Sequence, residues 1–127
     1  MVSAEESKAV RLNCVVQHYA WGSDSNGLVA RLSHNTTTDK PCAALWMGTH
    51  PSGPSTIYSS DATLKEYLGG RQLPFLFKVL SVKTALSIQA HPDKQLAKQL
   101  HLSNPKNYPD DNHKPEMAIA LTPFEAL

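Results

Sequence analysis

Proline, glycine, serine and asparagine cluster at 22–27, 51–55, 69–70 and 103–115, cutting the sequence into lengths that suit strands and short helices. No internal repeat and no low-complexity tract interrupts this pattern. With 127 residues, 41% of them apolar and 18% charged, the chain amounts to one domain or a piece of one. Nine prolines against six glycines make it loop-rich and globular, which excludes collagen, coiled-coil and low-complexity readings.

Residues 12–17 alternate Leu12, Cys14 and Val16 with Asn13, Val15 and Gln17, ahead of the turn Tyr19-Ala20-Trp21-Gly22. That parity predicts a strand with one strongly apolar face. Helices are expected over 25–32, where Leu28, Val29 and Leu32 share a face, and over 63–68, where Thr63 and Glu66 form a capping box ahead of Gly69-Gly70. Residues 75–81 form a β-rich run, apolar on both faces except for Lys78. In 86–91 the parity separates Leu86, Ile88 and Ala90 from Ser87, Gln89 and His91. A helix over 93–102 follows, with Leu96, Ala97 and Leu100 as its stripe and Asn104-Pro105 as its stop. The loop 103–115 then leads to EMAIAL, read as a strand with Glu116, Ala118 and Ala120 on one face. The inventory is mainly β with helical decoration, a cupin or jelly-roll-like sandwich. A jelly roll needs about eight strands. This chain stops at 124–127 just after a strand pattern, so the sandwich is expected to be incomplete.

Several classes are excluded by charge and hydropathy. Twelve basic against eleven acidic residues leave a formal charge of +1, too little to hold a polyanion, so nucleic acid is not an expected partner. No run approaches the roughly 20 apolar residues of a membrane span; the longest are 43–47 and 117–121. The start, MVSAEESKAV, lacks the basic and apolar regions of a signal peptide, so the chain is expected in the cytoplasm. Cys14 and Cys42 fit no metal spacing and are expected as free thiols.

Gln89 and His91 are two residues apart on an extended segment, so their side chains leave one face with Cα atoms about 6.6 Å apart. Such a pair can fix two corners of a Zn²⁺ site, to which Glu116 would add a carboxylate. The alternative is a solvated polar face. Lys78 also has two readings, a contact to a substrate anion or an ammonium snorkelling to solvent. Lys114 shares parity with Glu116 across Pro115, so both project toward one site. Trp21 and Trp46 are read as core residues, although Trp21 in its turn could line a sugar pocket. Among the histidines, His18, His34, His50 and His101 are read as structural or surface, and His113 is left open.

Longer motifs carry a family resemblance. YAWG at 19–22, LWMGTHPSGPS at 45–55, LPFLFKVLSVKTALSIQAHPDKQLAKQLH at 73–101 and NYPDDNHKPEMAIALTPF at 107–124 closely resemble type I mannose-6-phosphate isomerase. The resemblance runs from about Leu12 to the end, so residues 1–127 are read as the N-terminal portion of such an enzyme, truncated after 127. It implies a cupin core and a zinc ion held by Gln89, His91 and Glu116. It also implies reversible interconversion of mannose 6-phosphate and fructose 6-phosphate through a cis-enediol, a reaction that feeds GDP-mannose synthesis. Lys114 is then expected in proton transfer or charge stabilisation, Lys78 in anion contact, and Trp21 and Ser87 against the substrate. The expected partner is a small sugar phosphate, with neither nucleic acid nor membrane, and the protein is expected to be a monomer.

Two departures from the family pattern stand out. Ala44 replaces the glutamate of AELWMGTHP, which puts one acid/base partner in doubt. The fourth metal ligand, a histidine, and an active-site arginine lie further along in family members. The alternative reading is accordingly a non-catalytic fragment, or a sugar-binding cupin module without turnover.

Overall fold

The computed structural model describes residues 9–34 and 39–125. The sequence readings that concern 1–8 and 126–127, on the start of the chain and on its final residues, lie outside them. The chain divides into two compact units, one ending at Leu86 and the other beginning at Ser87.

The first unit carries β1 (Leu12–Asn13), β2 (Val15–Gln17), α1 (Leu28–Leu32), β3 (Ala44–Met47), β4 (Thr56–Ile57), α2 (Leu64–Tyr67) and β5 (Phe77–Leu80). The strand expected over 12–17 is split at Cys14. Its first half pairs with β4, placing Leu12 against Ile57, and its second half pairs with β3. A three-stranded antiparallel sheet of order β2-β3-β5 results. Its register sets Val16, Leu45 and Val79 in one row and Val15, Trp46 and Lys78 in the next. Because strand side chains alternate, these rows face opposite sides of the sheet. The first row joins the core, where Val29, Ala30, Cys42 and Leu45 are buried and Cys14, Val16, Met47 and Val79 pack against them.

Local chemistry explains the short helices. In α2, Thr63 Oγ1 accepts the Glu66 amide and the Glu66 carboxylate accepts the Thr63 amide, the capping box its spacing predicted. The chain leaves α2 through Gly69 and Gly70, both at positive φ. In α1, Ser33 Oγ donates to the carbonyls of Val29 and Ala30 and closes the last turn. Gly22 packs so tightly that a Cβ would stand 2.7 Å from the Ala43 backbone. Both cysteines are free, and burial pushes both thiols above their ordinary pKa.

In the second unit, α3 (Lys94–Ser103) is the only helix or strand among the described residues. Asp93 caps it, its carboxylate accepting the amides of Gln95 and Leu96. Ala97 is buried, while Leu96 is exposed.

Three sequence readings need correction. Residues 86–91 and 116–121 are not strands: both have their expected alternation, but neither pairs with another described segment, and a strand exists through its ladder. Ile88 is 94% exposed, Met117 89% and Ile119 77%. The strand expected over 75–81 forms as β5, whose ladder among the described residues is with β3 alone; pairing covers a strand's edge and not its face, and Phe77 and Leu80 are exposed where two covered faces were expected. No described helix is long and apolar enough to cross a membrane.

Candidate metal and substrate site

The site residues singled out from sequence fall in both units. In the first, Trp21 is half-buried at the end of the Tyr19–Gly22 turn, stacked on Tyr19 with ring centroids 5.6 Å apart. Its carbonyl accepts the amides of Lys83 and Thr84, tying the turn to the chain after β5.

Lys78 lies on β5, opposite Trp46 of β3. Its Nζ stands 5.4 Å from the centre of the Trp46 ring system, within reach of a cation–π contact. The lysine is exposed, whereas Trp46 is 9% exposed. His50 meets Trp46 edge-on at 5.1 Å and 78°. The Ser52 amide donates to His50 Nδ1, which assigns the neutral ring proton to Nε2. Gly53 closes the other approach, since a Cβ there would stand 2.9 Å from Gln17 Nε2 and 3.1 Å from the Trp46 ring. The loop from Gly48 to Ser55 is pinned at its base: the Gly48 amide donates to Ser55 Oγ and the Ser55 amide to the Gly48 carbonyl. Ala44, where the resemblance led one to expect a glutamate, is 1% exposed, at a packed position between Gln17 and Leu80.

Sequence reading treated Trp46 as core and His50 as a turn residue; it did not connect either with Lys78. The turn signal in THPSGPS was visible, but the pairing of residues 46 and 78 is a matter of register, which only the assembled sheet supplies.

The second unit holds Ser87, Gln89, His91, Lys114 and Glu116, all exposed. Ser87 and Gln89 share the side that parity predicted, and Gln89 Nε2 donates to Ser87 Oγ at 3.1 Å. That bond engages the nitrogen end of the Gln89 amide. Lys114 Nζ lies 3.3 Å from Asp110 Oδ2. His101 Nδ1 lies 2.7 Å from the Tyr108 carbonyl, so this histidine fastens α3 to the following loop. Among the described residues no three His, Cys, Asp or Glu side chains gather as a metal cluster. The trio named from sequence contains only two residues of those types, the third being Gln89.

Comparison with known proteins places these residues in context. Residues 9–127 match the family described as phosphomannose isomerase type I, catalytic domain. The chain is 53% identical to the mannose-6-phosphate isomerase of Bos taurus and 52% identical to that of Homo sapiens, covering in each case 91% of this chain and 33% of the relative. The Candida albicans mannose-6-phosphate isomerase is 52% identical over 94% of this chain and 33% of its own length. The chain thus spans about a third of the length of the curated relatives it matches, 33% in these three. Among solved structures, a mannose 6-phosphate isomerase from Salmonella typhimurium bound to its substrate and a zinc atom superposes with a TM-score of 0.66 at 32% identity, covering 83% of this chain and 33% of that one. A mannose 6-phosphate isomerase bound with zinc and yttrium gives a TM-score of 0.66 at 32% identity, covering 82% and 33%.

Proposed function

The chain belongs to the phosphomannose isomerase type I catalytic-domain family, and from that premise we propose that it serves the reversible interconversion of mannose 6-phosphate and fructose 6-phosphate. The match across residues 9–127, which contains every site residue named above, carries this reading.

Zinc is the proposed metal, with Gln89, His91 and Glu116 as its holders. An amide oxygen, an imidazole nitrogen and a carboxylate form a donor set that zinc accepts, and the Ser87 contact favours the oxygen end of Gln89 as ligand. When bound, zinc supplies Lewis-acid polarisation of the sugar oxygens. Lys114, in its neutral form, takes the proton from C2 and returns it at C1 through a cis-enediol, while the O2 hydroxyl proton passes to O1; Asp110, 3.3 Å from the lysine, orients it. Lys78 meets the phosphate anion, and Trp21 and Ser87 contact the sugar. The setting is the cytoplasm, and the mannose 6-phosphate formed in the reverse direction feeds GDP-mannose synthesis.

One observation favours a second reading, a chain that binds metal and sugar phosphate without turnover. Ser87, Gln89, His91, Lys114 and Glu116 are all exposed, and proton transfer at carbon is helped by excluding water. A coupled assay for fructose 6-phosphate, with zinc content measured on the same sample, tests both. Turnover that a chelator abolishes and zinc restores, and that Lys114→Met removes without loss of zinc, is the expected result. Zinc retained without turnover favours the second reading. Absence of both overturns the two together.

A further inference from the structure

We propose that a cleft at the end of the β1–β4 pair is a binding site for a phosphate group, free or carried on a small ester, with Arg11 as its cation. The cleft has a volume of about 280 Å³ and is lined by Ala9, Val10, Arg11, Tyr58, Ser59 and Tyr67. None of these residues belongs to the site described above, and the two sites can exist independently.

The walls are built before any ligand arrives. Leu12 pairs with Ile57, so Arg11 and Tyr58 stand opposite each other one step further along the same antiparallel pair, and the Tyr58 amide donates to the Arg11 carbonyl at 2.9 Å. The guanidinium carbon of Arg11 lies 3.9 Å from the centre of the Tyr58 ring. Tyr67 comes from α2, which is fastened to the same strand: the Leu64 amide donates to the Ser55 carbonyl and the Ile57 amide to the Ala62 carbonyl. Ser59 lies in the turn that the Ser60 amide closes on the Ile57 carbonyl.

The lining selects an anion. A ring contact engages the guanidinium through its face and leaves its N–H groups for an oxygen acceptor. No acidic residue lines the cleft, and among the described residues no carboxylate forms an ion pair with Arg11. Glu66, next to Tyr67 in sequence, is committed to Thr63, from which its carboxylate accepts both the amide and the hydroxyl proton. The hydroxyls of Tyr58, Ser59 and Tyr67 add neutral donors from a turn and a helix. A tetrahedral phosphate, with three or more acceptor oxygens, meets donors from several directions better than a planar carboxylate does. Both tyrosines are 56% exposed, so the rings are open to a ligand arriving from solvent and give the body of an ester an apolar wall.

The test is NMR of the chain with ¹³C-labelled tyrosine, titrated with inorganic phosphate at constant ionic strength. There are four tyrosines, and Tyr58→Phe and Tyr67→Phe identify the two signals of the cleft. The expected result is a saturable shift at Tyr58 and Tyr67, with Tyr19 and Tyr108 unmoved. The apparent affinity should fall about tenfold or more in Arg11→Gln, and less in Arg11→Lys, which keeps the charge but loses the planar fork. Arg11 is exposed, so both variants should keep the fold, which unchanged Tyr19 and Tyr108 signals verify. Glucose 6-phosphate separates the two sources of the group: tighter binding than the free ion assigns the cleft to an ester, and equal binding to phosphate itself. Shifts that never saturate, that move all four tyrosines alike, or that persist in Arg11→Gln overturn the proposal, as does acetate binding as tightly as phosphate.

Discussion

Residues 43–47 and 117–121 are the two longest apolar runs of the chain, yet one is buried and the other stands in solvent. Ala43, Ala44, Leu45 and Trp46 are between 0% and 9% exposed, whereas Met117, Ile119 and Leu121 are between 73% and 89% exposed. The difference lies in their neighbours. β3 has β2 on one side and β5 on the other, so its backbone groups are paired and each face meets packed side chains. Residues 116–121 have the alternation of a strand but no ladder with any described segment. An apolar pattern proposes a strand; a hydrogen-bonded partner makes it one.

The largest effect that sharpens this contrast is expected from truncating one residue of each run. Leu45→Ala opens a cavity in the core and should lower unfolding stability by about 2–5 kcal/mol in urea, enough to unfold a marginal domain. Ile119→Ala should change it by less than about 0.5 kcal/mol. Equal costs at the two positions would break the comparison.

Gly22→Ala is next. Its Cβ would stand 2.7 Å from the Ala43 backbone, so the sheet must shift, at a cost of about 1–3 kcal/mol in the same measurement. A smaller loss is expected in the second unit, where Asp93→Ala removes the acceptor of two α3 amides and costs about 1 kcal/mol. Circular dichroism should show helicity lost from α3, and hydrogen exchange should place the change in residues 94–103 with β2, β3 and β5 unaffected.

The smallest expected effect depends on pH. The Glu66 carboxyl is held below its ordinary 4.5, first by the Thr63 amide and then by the Thr63 hydroxyl, both of which favour the ionised form. A lowered folded-state value means that this contribution is complete above the ordinary value and is lost as pH falls through the lowered one. Stability followed by denaturant titration should therefore decline slightly below that range, and Glu66→Gln should remove that part of the decline.

Much of the local structure was legible in the sequence. Thr63 and Glu66 announced their capping box, Asp93 and Asn104 bracketed α3, and the spacing of Leu28, Val29 and Leu32 marked α1. These signals act over three or four residues, so they need no distant partner. The i, i+2 relation of Ser87 and Gln89 also came through, as a hydrogen bond. β3 was seen only as an apolar run, and β4 was missed, because two residues, Thr56 and Ile57, carry no period.

For the candidate site, the residue types and the family followed from motifs that are contiguous in sequence. The setting of Lys78 did not, because Trp46, which lies opposite it across the sheet, comes from another part of the chain.

What the sequence by itself determined is therefore the family, the helix caps and which side chains share a face, since these depend on residue identity and short-range spacing. What only the tertiary structure decided is which runs become strands, which of them are covered, and that Lys78 rests over an indole. Those outcomes depend on hydrogen bonds and contacts between residues tens of positions apart, and a linear pattern does not specify its partner.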